Sequence, residues 1–451
     1  MYNAKTLLYV FISLVSLASY AQSEVSKILT EIAIAPSAEH IEKDIRTLVN
    51  FGTRHTLSDT VSTTRGIGAA RRWIKSEFEN ISTACNNCLE VSYQRNLVPK
   101  DNRRIVKDTY VVNVLATQKG VKYPNSYVIM SGDIDSRVSD ANNFTSDSPG
   151  ANDNASGMAG TLEAARVLSK YKFPVSIIYV GLSGEEQGLY GGRHMAKVAK
   201  EEGWDIVGVI NNDMIGNIKG IDGVIDNSTF RVFSEAISMD NTDRQKSAMR
   251  FYGGEVDGPS RQLARYIDEI TEDYMTNLDA IMIYRLDRFG RGGHHRPFND
   301  AGFTGVRIME THENYNEQHQ DLRTENGIEY GDVIESVNFD YASKLTAVNA
   351  LTLASLASAP LAPKNVKIGG AVKPSTQLQW DAVEDDDLIG YKIYWRDTTS
   401  PQWQYSRFVG KVTDYTLKNI VIDNYLFGVA SVGENGAESL VQFPNKLIGR
   451  N

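Results

Sequence analysis

Val175-Ser176-Ile177-Ile178-Tyr179-Val180-Gly181-Leu182-Ser183-Gly184-Glu185-Glu186-Gln187-Gly188 passes from a continuous apolar run into glycines and two adjacent carboxylates. A short β-branched run without alternation fits a strand buried on both faces, as in parallel sheets. Three further runs read the same way: Tyr110 to Ala116, Ser126 to Met130, and Ile206 to Ile210. Helix-like stretches lie between them, Ala155 to Lys170 and Gly191 to Glu202. Strand and helix in alternation predict an α/β domain with a mostly parallel central sheet flanked by helices. Such a sheet binds ligands at the carboxyl ends of its strands.

Those ends carry the acidic residues. The 126–130 strand runs into Ser131-Gly132-Asp133-Ile134-Asp135, and period-two geometry puts Asp133 and Asp135 on one side. Gly150-Ala151-Asn152-Asp153-Asn154 precedes a helix; Gly184-Glu185-Glu186 follows the third strand; Asn212-Asp213-Met214 follows the fourth. Singly, Asp153 reads as an N-cap and the others as turn or solvated groups. Jointly, four loops delivering carboxylates to one rim create repulsion that bound cations relieve. Divalent metals accept such oxygens, and zinc also takes imidazole. Gly181-Leu182-Ser183-Gly184-Glu185 lacks the final glycine of a nucleophile elbow, so a serine hydrolase is a poor reading.

With these motifs in place the segment from Asp133 to Gln320 resembles the MH-clan zinc peptidases, the co-catalytic aminopeptidases with glutamate carboxypeptidases and glutaminyl cyclases as relatives. The resemblance is carried by Gly150-Ala151-x-Asp153-x-Ala155-Ser156-Gly157, Gly184-Glu185-Glu186-x-Gly188 and Asn212-Asp213-Met214-Ile215-Gly216. It implies that Asp153 bridges two zinc ions, Glu185 is the general base, Glu186 ligates one ion and Asp213 the other. It also implies a late histidine ligand. Among seven histidines, order along the chain points to His319 in Asn316-Glu317-Gln318-His319, with His312 in reserve. Gly293-His294-His295-Arg296-Pro297-Phe298 resembles a near-site family segment in which His295 is no ligand. His40, His55 and His194 read as ordinary structural residues.

One position departs from the pattern. Asp133 stands where the family usually has a histidine ligand, in Asp133-Ile134-Asp135. A carboxylate also binds zinc, so Asp133 is expected to ligate, at a site less positive by one charge and more tolerant of harder ions such as manganese. The role of Asp135 as partner to a ligand histidine is left open. The resemblance implies a metal-dependent exopeptidase acting on peptides or proteins with a free N-terminus. Two other readings compete: a single-zinc glutaminyl cyclase-like acyltransferase, and a binding protein whose metal site has degraded.

The rest of the chain frames this centre. Lys5, the apolar run Leu7 to Ala18 and Ser19-Tyr20-Ala21 form a secretory signal peptide, with cleavage expected after Ala21 and a secreted or periplasmic product. The run has 12 residues, too few to span a bilayer. Export makes a local Cys85–Cys88 disulfide the preferred reading of the chain's two cysteines. The catalytic domain is expected over residues 22–358. A linker, Ser358-Ala359-Pro360-Leu361-Ala362-Pro363, opens an all-β tail over 359–451. Leu378-x-Trp380, Gly390-Tyr391-x-Ile393-Tyr394-Trp395 and Tyr425-x-Phe427-x-Val429 make the tail resemble a fibronectin type III sandwich. With 41% hydrophobic and 23% charged residues over 451 positions, the composition is globular. A net charge of −9 does not suggest a nucleic-acid binder, which usually shows a basic face.

Overall fold

The computed structural model describes residues 27–101, 103–251 and 253–449. The expected signal peptide lies outside the described residues. Among the described residues the chain divides into two compact units, Ala35–Ala357 and a second that joins Ser358 onward with the stretch ending at Ile34. No helix among the described residues is long and apolar enough to cross a membrane.

The large unit is built on an eight-stranded sheet. Its strands are β1 (Leu89–Val98), β2 (Thr109–Gln118), β3 (Tyr123–Asp133), β4 (Val175–Leu182), β5 (Asp205–Asn212), β6 (Thr229–Phe233), β7 (Asp279–Ile283) and β8 (Gly305–Glu310). Their order is β1-β2-β4-β3-β5-β8-β6-β7. The middle run β4-β3-β5-β8 is parallel, while β1/β2, β2/β4 and β6/β8 pair antiparallel. The strand expected over 110–116 therefore presents its amino end to the rim where β3, β4 and β5 present their carboxyl ends. Residues 323–325 and 328–330 form a small hairpin, β9 and β10.

Every residue of β4 is buried. Ile178, Val180 and Leu182 join Met195, Ala196 and Phe298 in one apolar cluster, so helices Tyr190–Glu201 and His295–Asp300 cover that face. Each such side chain removed from water contributes about 1.5–3 kcal/mol. Helices Gly157–Leu168 and Phe339–Ser358 cover the other face. A Cβ on Gly160 would sit 2.8 Å from Thr346 Oγ1, so the glycine lets these two helices close up. Helix Gly66–Ala84 ends at Cys85, and the Cys85–Cys88 disulfide closes the turn into β1, as the export argument anticipated.

In the second unit Lys367–Gly369 (β11), Thr376–Gln379 (β12), Asp414–Leu417 (β15) and Lys446–Leu447 (β17) form one sheet. Leu388–Asp397 (β13), Tyr405–Gly410 (β14) and Tyr425–Gly433 (β16) form the other. Ile368, Leu378 and Leu417 from the first meet Ile393, Trp395, Phe427 and Val429 from the second in a single core. Trp380 packs against Tyr391 with ring centroids 5.3 Å apart.

Candidate metal centre

Strand register sets the level of the site. Gly132 pairs with Gly181 and with Asn212, and Asp133 pairs with Leu182. Asp133, the Gly184-Glu185-Glu186 turn and Asp213 thus leave neighbouring strands at one rim. The 151–156 turn is brought down onto them by two glycines. A Cβ on Gly132 would lie 2.5 Å from the Gly157 backbone, and one on Gly157 would lie 2.4 Å from the carbonyl oxygen of Asn212. Asn154 ties the junction together: its amide donates to Asp133 Oδ2 (2.8 Å) and to the Asn212 carbonyl (2.7 Å), and its Oδ1 accepts from the amides of Gly157 and Met214.

Three of the expected ligands converge. His319 Nε2 lies 2.9 Å from Asp153 Oδ2 and 3.0 Å from Glu186 Oε1. One donor atom from each of Asp153, Glu186 and His319 lies within 4.8 Å of the other two, with both carboxylates buried. Two carboxylates and one imidazole are the donor set of a catalytic zinc site, so these residues fit the ion. His312 is elsewhere, bonded through Nδ1 to Asp222 at 2.8 Å. Burial disfavours ionising Asp153 and Glu186, but the facing His319 outweighs it and holds both carboxyls below their ordinary range. Burial likewise disfavours the imidazolium, yet Glu186 and Asp153 push His319 up to about 9.

Glu185 sits beside this group on the same turn, half-buried. Burial, and then the neighbouring carboxyls of Glu186, Asp213, Asp133 and Asp153, raise its carboxyl well above the usual range. Asp135 holds the turn itself. Its carboxylate accepts the amides of Gly184 (2.9 Å), Glu185 (3.2 Å) and Glu186 (3.1 Å) and the hydroxyl of Thr56 (2.9 Å). That is its role here, in place of orienting a histidine.

Asp133 and Asp213 lie at the same rim but outside the three-donor group. Asp133 Oδ1 is 2.5 Å from His294 Nδ1. Burial lifts the Asp133 carboxyl to about 8 and lowers the His294 imidazole to about 4. Asp213 Oδ2 is 3.0 Å from a terminal nitrogen of Arg307. Of the tandem histidines, His294 rather than His295 faces the acidic residues; His295 Nε2 is 2.8 Å from the Leu286 carbonyl.

Several partners escaped the sequence reading. Arg137 donates from Nε to Glu186 Oε2 at 2.8 Å, and its terminal nitrogen lies 2.6 Å from His319 Nδ1. Period-two spacing from Asp133 and Asp135 was the available signal for it. Asp332 accepts the amides of Asn152 (2.8 Å) and Asp153 (2.7 Å), fixing the turn that carries Asp153 from 180 residues away. Gln318 donates to Asp153 Oδ2 at 3.1 Å. Arg307 was signalled only as a lone cation inside an apolar strand. A separate cavity of about 1060 Å³, lined in part by Arg71, Arg72, Arg95 and Lys107, includes none of the six expected site residues.

This geometry places a three-donor group at the carboxyl rim of an α/β sheet, and the comparisons give the family. Residues 113–336 match peptidase family M28. A probable zinc metalloprotease of Pyrenophora teres f. teres is 42% identical over 412 residues, covering 90% of this chain and 85% of the relative. Another, from Leptosphaeria maculans, is 41% identical over 424 residues, covering 94% and 97%. The chain belongs to peptidase family M28, the MH-clan zinc peptidases. Among solved structures, the LapA aminopeptidase of Legionella pneumophila shares the fold at TM-score 0.50 and 20% identity, covering 74% of this chain and 75% of that one. An aminopeptidase from Aneurinibacillus sp. strain AM-1 does so at TM-score 0.51 and 14% identity, covering 73% and 96%.

Proposed function

We propose that the chain is an exported zinc exopeptidase that removes residues from the free N-terminus of peptides, with Glu185 as general base. The observation that carries this reading is that one turn supplies both Glu186 to the three-donor group and Glu185 beside it. The family supports peptide hydrolysis, and the fold neighbours named as aminopeptidases favour attack at the N-terminus. Asp153, Glu186 and His319 would hold the ion. When bound, zinc supplies Lewis acidity toward water and the substrate carbonyl.

The protein's own groups do the remaining work. Glu185 takes a proton from the attacking water at a carboxyl oxygen and returns it to the departing amine. Its raised pKa suits both halves of that transfer, since it must be a base and then an acid. Asp135 fixes the turn, so the base and its neighbour Glu186 keep a constant relation. Arg137 holds Glu186 against rotation by its Nε hydrogen bond. Residues 1–21 serve as the export signal, residues 22–358 carry the chemistry, and 359–451 form a fibronectin type III-like spacer or docking module.

Hydrolysis of aminoacyl anilides tests the reading. Activity should disappear on dialysis against a chelator, return with zinc, and be absent on the N-acetylated substrate. Equal cleavage of the acetylated substrate would make the enzyme an endopeptidase. Cyclisation of N-terminal glutamine without peptide hydrolysis would overturn the reading in favour of the acyltransferase. An exported protein beginning at Gln22 would support the signal peptide.

A further inference from the structure

We infer that the second metal position of this centre is taken over by the protein: Arg307 and His294 engage Asp213 and Asp133, and the chain holds a single ion at Asp153, Glu186 and His319. The inference rests on the metal-centre reading above and sharpens it.

Arg307 is fully buried on β8, directly beside the strand that delivers Asp213, since Asn211 of β5 pairs with Arg307. One terminal nitrogen lies 3.0 Å from Asp213 Oδ2. The other reaches both oxygens of Asp287, at 3.0 and 2.9 Å. The guanidinium is thus clamped between two carboxylates that are themselves buried, with no solvent to swing into. A guanidinium stays charged at every accessible pH, and its planar fork matches carboxylates. It neutralises Asp213 as a permanent cation. A divalent ion drawn to Asp213 would be forced against that fixed positive charge in a region of low dielectric.

Asp133 is committed as well. Its Oδ1 is 2.5 Å from His294 Nδ1 and its Oδ2 accepts the Asn154 amide at 2.8 Å. His294 is wholly buried, and its Nε2 has no hydrogen-bond partner. The imidazole therefore spends its one polar contact on Asp133. The other half of the centre also carries a cation, Arg137, but its Nε uses Glu186 Oε2 and leaves Oε1 facing His319 Nε2. There, oxygens of Asp153 and Glu186 converge with His319 Nε2 inside 4.8 Å, whereas no group containing Asp133 or Asp213 does so among the described residues. The aspartate at position 133 then reads as part of a set, matched to a histidine and an arginine that make a second ion unnecessary.

The test is metal stoichiometry on the full chain. The metal-stripped protein is titrated with Co²⁺ and followed by its visible absorption, then loaded with zinc, dialysed and counted by elemental analysis. The absorption should saturate at one equivalent and the count should be one zinc per chain. Asp213→Asn should still retain one ion, because Asp213 belongs to Arg307, while His319→Ala should retain none. Saturation at two equivalents, or loss of an ion in Asp213→Asn, overturns the inference and leaves the peptidase reading intact. If Asp213→Asn does not fold, the wild-type stoichiometry decides alone. A wild-type chain that binds no ion overturns both.

Discussion

Asp135 and Glu186 are joined by a backbone hydrogen bond of 3.1 Å, from the Glu186 amide to Asp135 Oδ2, while the Glu186 carboxylate turns away toward His319. The same Asp135 side chain accepts the amides of Gly184 and Glu185. One buried carboxylate on the β3 exit thereby fixes the backbone of the β4 exit, and with it both the proposed metal donor Glu186 and the proposed base. Strand pairing brings the two loops to one level; Asp135 locks their relative position.

Asp135→Ala should loosen this turn without touching a ligand. The loss of an outer partner of a metal ligand typically costs 10–100-fold in affinity or activity. Zinc affinity, measured by competition with a chelator, should fall by about that factor, and the protein should still fold by circular dichroism. Unchanged zinc affinity and unchanged turnover would show that the turn holds itself.

Glu185→Gln removes the base but keeps size and turn. Metal content should match the wild type, since Glu185 is outside the three-donor group. Turnover of an aminoacyl anilide should fall at least about a hundredfold, the usual scale of general-base catalysis. Near-normal turnover in a metal-replete Glu185→Gln protein would remove the assignment.

The centre was unequally legible in the sequence. That Asp133, Asp153, Glu186 and Asp213 lie at one rim was readable because each follows a strand or precedes a helix within a few residues, and local pattern carries that information. His319 was reached only through family order, then placed by geometry beside Asp153 and Glu186. The partners that decide how each carboxylate is used come from far along the chain: Arg307 for Asp213, His294 for Asp133, Asp332 for the Asp153 turn. No local period links positions separated by 90 to 180 residues, so only the closed sheet reveals these pairs. The tandem His294-His295 shows the same limit at one-residue scale. Both are buried, and side-chain direction at a helix start depends on the loop that feeds it; the residue that meets Asp133 is the first of the two.

Away from the centre, Asp268 on helix Pro259–Tyr274 sets a pH-dependent cost. It is 8% exposed, and burial, with Glu272 and Asp279 nearby, raises its carboxyl to about 7 from an ordinary value of 3.8. The folded state therefore binds a proton that the unfolded state releases between those values. Stability from this group declines as pH rises from about 4 to about 7, and the full cost applies above that. Asp268→Asn should raise the melting temperature by a few degrees at pH 8, on the order of 1–2 kcal/mol, and by little at pH 4. An equal gain at both pH values would show that the effect is not ionisation.

The tail offers the last test, one of independence. No described residue after Pro360 belongs to the three-donor group or to the turns that build it. The core of the tail, from Val366 to Val429, is closed on its own side chains, with Trp380, Tyr391 and Trp395 at its centre. Two units that each bury a separate core can be parted at a proline-containing linker with limited loss. A chain ending at Pro360 should fold, bind zinc as the full chain does, and hydrolyse small aminoacyl substrates at near the full rate. If the shortened protein binds zinc with unchanged affinity but turns over small substrates at least tenfold more slowly, the tail contributes to substrate positioning. If it turns over small substrates normally but long peptides poorly, the tail acts as a docking module for extended substrates, and comparison of the two KM values distinguishes that outcome from a passive spacer.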